Sequence, residues 1–123
     1  MFVVSDDAFQ DLVKQALNSL PGQHAKNIKN VAILYEYDPT PKQRESLRLR
    51  HDQTLFGLYE GVPLPNRLGQ TSLLPDKITV FKGPLERASS SLEELKENIR
   101  HTLWHEIGHY YGLDHQRISE LEA

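Results

Sequence analysis

Four of the six histidines lie in one short stretch, between positions 101 and 115. From His105 to His115 the sequence reads HEIGHYYGLDH, which is H-E-x-x-H extended to H-E-x-x-H-x-x-G-x-x-H. Residues four apart on a helix lie on the same face, one turn above each other. His105 and His109 can therefore direct imidazole nitrogens at one ion, and imidazole is a common zinc ligand. The spacing predicts a site for one Zn²⁺.

Glu106, next to the first of these histidines, is suited to a different role. It is turned by about 100° around the helix from His105, so it flanks the metal instead of crowding it. A zinc-bound water has a pKa near 7, and a neighbouring carboxylate can take its proton and pass it to a leaving amine. The pattern therefore predicts hydrolysis of peptide bonds by a zinc-activated water, with Glu106 as general base.

Two helical histidines do not complete a zinc site, and the third ligand is predicted from the residues after the helix. Gly112 allows the chain to leave the helix sharply, because glycine adopts positive φ freely. His115 can then turn back as the third ligand. Asp114 is the alternative, and otherwise an N-cap or a hydrogen-bonding partner of a ligand. A fourth position left open for water distinguishes a catalytic zinc from a structural one.

A bare H-E-x-x-H is a weak signal, whereas the extended pattern fixes five positions and falls where a capped helix is predicted to end. The neighbouring candidates are expected to be surface or packing residues. These are His24, His51, His101, Trp104, Tyr110 and Tyr111. Either of the two tyrosines could instead line a cleft and donate a hydrogen bond to an oxyanion.

The motif is predicted to lie on a helix from about Ser91 to Tyr111. Ser91 and Glu94 form an S-x-x-E capping box, although Ser90 and Glu93 offer the same pattern one residue earlier. An apolar stripe marks the buried face of this helix: Leu92, Leu95, Ile99 and Leu103. A final short helix from Asp114 or His115 is also expected.

The remaining chain predicts a mixed α/β fold. A first helix spans Ser5 to Leu20, capped by Ser5 and ended by Pro21-Gly22, and a short helix is expected from Pro41 to Arg50. Three strands are predicted: one at Val31–Tyr37, one at Leu55–Glu60, which Gly57 weakens, and one at Ile78–Lys82, with a long loop over Gly61–Lys77. Four residues of the first strand alternate onto one face: Val31, Ile33, Tyr35 and Tyr37.

Length and composition restrict the class of protein. A chain of 123 residues fits one domain, 1–123. A net charge of −3 and a pI near 6.0 argue against nucleic-acid binding. The absence of cysteine excludes disulfides and thiolate sites. No apolar run approaches the roughly 18 residues that span a membrane, and no signal peptide is visible, so a cytoplasmic location without membrane contact is expected.

These residues and motifs resemble the zincin-like metallopeptidase family of small bacterial proteins, the minimal zincins. The similarity also covers LYEGVPL at 58–64 and LPDKITVF at 74–81. It implies a compact α/β (α+β) domain, with a small mixed sheet backed by helices and an edge strand beside the metal cleft. It carries over His105 and His109 as ligands and Glu106 as base. Relatives can hold Asp at the third-ligand position, where this sequence has His115.

The sequence departs from metzincins proper in two respects. Eight residues follow His115 and the sole methionine is Met1, so neither a Met-turn nor the lower lobe of a protease cleft is expected. A shallow cleft buries little substrate, so peptidase activity is expected to be weak, narrow, or dependent on a partner protein or an oligomer.

Two functions compete with a peptidase. A metal-binding pseudo-enzyme would use the same fold to bind a peptide or protein, although it would not need Glu106. A structural zinc site would be closed by a fourth ligand, either Asp114 or a residue of a partner.

Overall fold

The architecture was obtained from a computed structural model, which describes residues 1–20, 31–46, 55–61, 76–113 and 116–117. In chain order the elements are α1 (Asp6–Ser19), β1 (Val31–Glu36), α2 (Pro41–Ser46), β2 (Gly57–Glu60), β3 (Asp76–Phe81), α3 (Lys82–Arg87) and α4 (Leu92–Tyr110). The predicted mixed α/β class, with the metal motif on a long C-terminal helix, is confirmed. Among the described helices, none has the length and apolar character needed to cross a membrane.

The first helix forms as its sequence predicts. Ser5 is the N-cap, and its Oγ accepts a hydrogen bond from the Ala8 amide at 3.1 Å. Asp6 and Asp7 lie in the first turn, where the helix dipole stabilises negative charge. The buried face consists of Phe9, Leu12, Val13 and Ala16. The predicted stop at Pro21-Gly22 lies outside the described residues.

The sheet has three strands in the order β1-β3-β2, so the last strand in sequence lies in the centre. β1 pairs with β3 in parallel, and β2 pairs with β3 in antiparallel orientation. Ile78 and Val80 of β3 are fully buried beneath the helices. The Phe9 ring of α1 contacts the Tyr35 ring of β1 edge to face at 5.6 Å, so α1 packs on this face of the sheet.

The core face of β1 differs from the prediction at one residue. Val31, Ile33 and Tyr35 pack against the buried cluster, as expected. Tyr37 lies beyond the end of the strand and is 57% exposed, because the chain leaves the sheet after Glu36. The second strand begins at Gly57 instead of Leu55. Of the predicted helix at 41–50, residues 47–50 lie outside the described part of the chain.

The third strand begins two residues before its predicted start and ends one residue before its predicted end. Asp76 and Lys77 are poor strand formers, but both have partners on β2. Asp76 accepts a hydrogen bond from the Tyr59 hydroxyl, and Lys77 Nζ lies 3.6 Å from Glu60 Oε1. These two contacts between strands overcome the low strand propensity of Asp76 and Lys77. Of the loop predicted at 61–77, residues 62–75 lie outside the described part of the chain.

The helix α3 was not predicted, because Gly83-Pro84 indicates the end of a strand and not the start of a helix. Pro84 occupies the first turn, where a backbone N–H has no partner within the helix. Lys82 begins the helix, and its ammonium lies 3.0 Å from Asp6 and 3.6 Å from Glu86. The Val4 amide also donates to Glu86, at 2.8 Å. Contacts with the N-terminal segment therefore stabilise α3.

The long helix α4 begins where one of the two capping patterns predicts. Ser91 is the N-cap, and its Oγ accepts from the Glu94 amide at 3.1 Å, which decides against Ser90. Leu95, Ile99 and Leu103 are fully buried in the core. Leu92 was predicted on the same stripe but is 38% exposed, because it is the first residue of the helix.

Candidate metal centre

The last two turns of α4 bring the histidines of the motif together. His105 and His109 are half-buried, and their Nε2 atoms lie 3.2 Å apart. Their rings are nearly perpendicular, with an interplanar angle of 82° and centroids 4.8 Å apart. Four-residue spacing places them on one face of the helix, as predicted.

The separation of the two nitrogens fits a zinc ion. Nitrogens that lie about 2.0–2.1 Å from a tetrahedral ion are roughly 3.3 Å from each other. The separation of 3.2 Å between the two Nε2 atoms is therefore close to what two zinc ligands require. One ligand atom from each of His105, Glu106 and His109 lies within 4.8 Å of the others. The two imidazoles suit zinc as ligands, and the Glu106 carboxylate lies close enough to act beside the ion.

Glu106 is buried, although it carries an ionisable group. Its side chain is on the inner side of α4, and the residue is only 7% exposed. Burial raises the pKa of its carboxyl from 4.5 to about 7, while a hydrogen bond from the Tyr59 amide acts in the opposite direction. That amide donates to Glu106 Oε1 at 2.9 Å. A carboxyl with a pKa near neutrality can both accept and release a proton under physiological conditions.

The strand β2 lies against this end of α4. A Cβ atom on Gly57 would lie 2.5 Å from Thr102 Cγ2 and 3.3 Å from Glu106 Cγ, so a side chain there would overlap the helix. The Tyr59 hydroxyl donates to Asp76 Oδ2 at 2.5 Å. Sequence reasoning treated Gly57 only as a weakness in a strand and assigned no role to Tyr59 or Asp76.

Two tyrosines at the end of α4 extend the contact with β2. The Tyr110 ring packs edge to face on the Tyr59 ring at 6.2 Å and on the Tyr111 ring at 5.0 Å. Tyr110 is buried, which agrees with a packing role, whereas Tyr111 is half-buried. Burial, and then the neighbouring Tyr110, raise the pKa of the Tyr111 hydroxyl.

The helix ends as the position of Gly112 predicts. Gly112 has φ of 80°, the Leu113 amide donates to the Gly108 carbonyl at 3.0 Å, and the Gly112 amide donates to the His109 carbonyl at 2.9 Å. This pair of hydrogen bonds is a Schellman motif, which turns the chain away from the helix axis. Asp114 and His115 follow directly and lie outside the described residues. The third ligand therefore stays a prediction.

Of the remaining candidate residues, the structure describes His101 and Trp104. His101 is exposed one turn before His105, as expected for a surface residue. Trp104 packs against the core. His24 and His51 lie outside the described residues. Gln116 and Arg117 are helical, and the rest of the predicted final helix lies outside the described part of the chain.

Comparisons with known proteins identify the family and the fold of this chain. The sequence model of the family described as zincin-like metallopeptidase matches residues 28–123. Together with the small mixed sheet and the motif helix, this match defines the class: the chain belongs to the zincin-like metallopeptidase family.

A solved structure gives independent support for the fold. A conserved hypothetical protein from Thermus thermophilus superimposes with a TM-score of 0.60. The alignment covers 88% of this chain and 94% of that one, at 18% sequence identity. At that identity the likeness concerns the fold alone. No curated protein matches the sequence.

Proposed function

We propose that this protein is a zinc-dependent metallopeptidase that hydrolyses peptide bonds, with Glu106 as general base. His105, His109 and His115 are the proposed ligands of one Zn²⁺. The observation that carries the proposal is the convergence of two imidazole Nε2 atoms, 3.2 Å apart, beside a buried carboxylate. A site that only bound zinc would not need to bury that carboxylate, because burying an ionisable group is costly.

The proposed chemistry follows from the positions of these groups. Zinc would supply Lewis acidity, which polarises a peptide carbonyl and makes water acidic enough to attack near neutral pH. Glu106 Oε1 is held by the Tyr59 amide, so Oε2 is the oxygen proposed to accept the proton of the attacking water. The same oxygen would then deliver that proton to the leaving amine.

The proposed substrate is a peptide or protein. The Phe81 amide donates to the Phe56 carbonyl, and hydrogen-bonding direction alternates along an antiparallel pair, so the peptide groups of Gly57 and Tyr59 point away from β3. The Tyr59 amide on that side already donates to Glu106, so β2 is assigned to the base and not to pairing with substrate. A shallow cleft buries little substrate, and we therefore also propose that a partner protein or a second copy contributes to substrate binding.

The proposal is tested with the zinc-loaded protein and a diverse peptide library, analysed by mass spectrometry. The controls are the chelated protein and Glu106→Gln, which keeps the size of the side chain and its ability to accept from the Tyr59 amide. Bound zinc is measured in every sample. We expect cleavage only by the zinc-loaded wild type, and retention of zinc by Glu106→Gln.

Two other outcomes would change the assignment. Equal cleavage by Glu106→Gln and wild type would remove Glu106 from the role of base. Stoichiometric zinc without cleavage of any peptide would favour a metal-containing binding module, and a hydroxamate would then separate two cases. An open site binds this chelating group, whereas a structural zinc site with four protein ligands does not.

A further inference from the structure

The C-terminal part of α4, from Thr102 to Tyr110, and the strand β2 approach each other unusually closely. The closest point is Gly57, where a Cβ atom would lie 2.5 Å from Thr102 Cγ2, a distance that real Cβ atoms do not adopt. Thr102 is itself fixed, because its Oγ1 donates to the Asn98 carbonyl at 2.7 Å. Glycine at position 57 therefore sets how near β2 lies to the helix.

The close approach brings one backbone group of β2 to Glu106. Tyr59 lies two residues after Gly57, and its amide donates to Glu106 Oε1 at 2.9 Å. This amide points outward from the sheet and does not take part in the pairing with β3. The hydrogen bond to Glu106 therefore adds nothing to the ladder of the sheet.

A second contact fixes the position of that amide along the strand. The Tyr59 hydroxyl donates to Asp76 Oδ2 at 2.5 Å, and Asp76 is only 3% exposed at the start of β3. The Tyr59 ring also packs on Tyr110 of α4. A sliding or lifting movement of β2 would break the buried hydrogen bond, which is costly when a carboxylate loses its partner.

From these contacts we propose that β2 is a positioning strand for the general base. The Tyr59 amide orients the Glu106 carboxylate, while Gly57 and the Asp76–Tyr59 hydrogen bond keep that amide in place. Gly57, Tyr59 and Asp76 are positioning residues, since they act through Glu106 and not on substrate. The inference rests on the proposed function, in which Glu106 handles the proton.

Gly57→Ala tests the proposal together with a compensating change. The new methyl group overlaps Thr102 Cγ2 and pushes β2 away from α4. Thr102→Ser removes that Cγ2 atom and keeps the hydroxyl that bonds to Asn98. We expect kcat of Gly57→Ala to fall about tenfold to a hundredfold with KM nearly unchanged, because displacement of about 1 Å has effects of this size. The double variant should recover most of the loss.

A measurement on the metal-free protein provides a readout independent of activity. Hydrogen exchange followed by NMR gives the protection of the Tyr59 amide, with the Leu58 amide, which faces β3, as the internal reference. We expect Gly57→Ala and Glu106→Ala to speed exchange at Tyr59 and leave Leu58 unchanged. Gly57→Ala combined with Thr102→Ser should restore protection of Tyr59.

Tyr59→Phe is the second variant, and it keeps both the ring and the amide while removing the bond to Asp76. We expect a smaller loss of kcat than in Gly57→Ala, unchanged zinc affinity, and faster exchange at residue 59. Unchanged kcat and unchanged exchange in both variants would overturn the proposal. So would equal acceleration of exchange at residues 58 and 59, since β2 would then be separating from the sheet as a whole.

Failure of this inference can be distinguished from failure of the proposed function. A zinc-loaded wild type that cleaves no peptide contradicts the peptidase assignment, whereas exchange at Tyr59 still reports whether β2 holds Glu106. Cleavage by the wild type, with kcat and exchange at residue 59 unchanged in both Gly57→Ala and Tyr59→Phe, supports the peptidase and rejects the positioning strand.

Discussion

Only the second half of α4 buries a carboxyl group. In the first half, residues 92–103, the fully buried residues Leu95, Ile99 and Leu103 are all aliphatic. In the second half, residues 104–110, the aliphatic Ile107 is buried as well, but the helix also buries the carboxyl group of Glu106 and half-buries His105 and His109. One continuous helix therefore packs against the core along its length and adds a functional face in its last two turns.

This difference shows where the helix supplies stability and where stability is given up for function. Aliphatic side chains gain free energy on burial, whereas an ionisable side chain loses solvation. Fully buried side chains anchor the first half in the core, so the groups of the metal centre lie on a helix that is held at its other end. Variants that affect one half and spare the other can test this division.

The largest effect is expected for His109→Ala, in the second half. Loss of a residue that hydrogen-bonds to a zinc ligand lowers zinc affinity roughly 10–100-fold. Loss of a ligand itself should therefore lower zinc affinity more than a hundredfold. Competition with a chromogenic chelator measures the affinity. His101→Ala, one turn before the motif on the same helix, is the matched control and should bind zinc like the wild type. Equal affinities of the two variants would contradict the ligand assignment.

Ile99→Ala, in the first half, should have the next largest effect. Deleting a fully buried aliphatic side chain costs about 2–5 kcal/mol of unfolding free energy. Urea titration of the metal-free protein gives this value, with Leu92→Ala as control because Leu92 is 38% exposed. Zinc affinity of the folded variant should stay unchanged. A large fall in that affinity would show that the two halves are not separable.

Glu106→Gln should change how stability depends on pH. In the folded, metal-free protein burial raises the pKa of Glu106 from 4.5 to about 7, so the folded state keeps a proton that the unfolded chain has released. The contribution of this group to the free energy of unfolding is fully present below pH 4.5, and it is lost as the pH rises through about 7. The loss is on the order of 3 kcal/mol.

Urea titrations between about pH 4 and pH 8, in chelator, measure this dependence. Glu106→Gln cannot ionise, so its unfolding free energy should fall less than that of the wild type over this range. Subtracting the two curves cancels the contributions of the histidines that both proteins share. Parallel curves would mean that burial does not penalise the charge of Glu106.

The smallest effect is expected at the start of α4. Ser91→Ala removes the side chain that accepts from the Glu94 amide, and loss of an N-cap costs about 1 kcal/mol. Thermal unfolding measures the difference. Ser90→Ala is the control, since Ser90 offers the same sequence pattern but is not the cap, and it should unfold like the wild type. A reversed result would place the start of the helix one residue earlier.

Local features of the fold could be predicted because their causes lie within a few residues. The caps of α1 and α4 follow from Ser5 and Ser91, and the end of α4 follows from Gly112. The spacing of His105 and His109 likewise follows from the geometry of one helix. These interactions reach no further than about four residues along the chain, so the sequence contains their full description.

Features that depend on distant residues could not be predicted in this way. The bond between the Tyr59 amide and Glu106 joins residues 47 positions apart. Helix α3 depends on the contact of Lys82 with Asp6, and the start of β3 depends on the hydrogen bond from the Tyr59 hydroxyl to Asp76. From the sequence, Gly57 could be seen only to weaken a strand. Its role in packing depends on Thr102, which lies in another element.

The strand order also has a consequence for the route of folding. β3 lies between β1 and β2, yet it follows both in the sequence. Among the described strands, neither of the first two has a hydrogen-bonding partner until β3 is present. During synthesis both would leave the ribosome before the strand that joins them, so sheet assembly waits until the chain has been made as far as Phe81, about two-thirds of its length. Pairing across this distance slows folding, and a chain that ends before Asp76 cannot form this sheet.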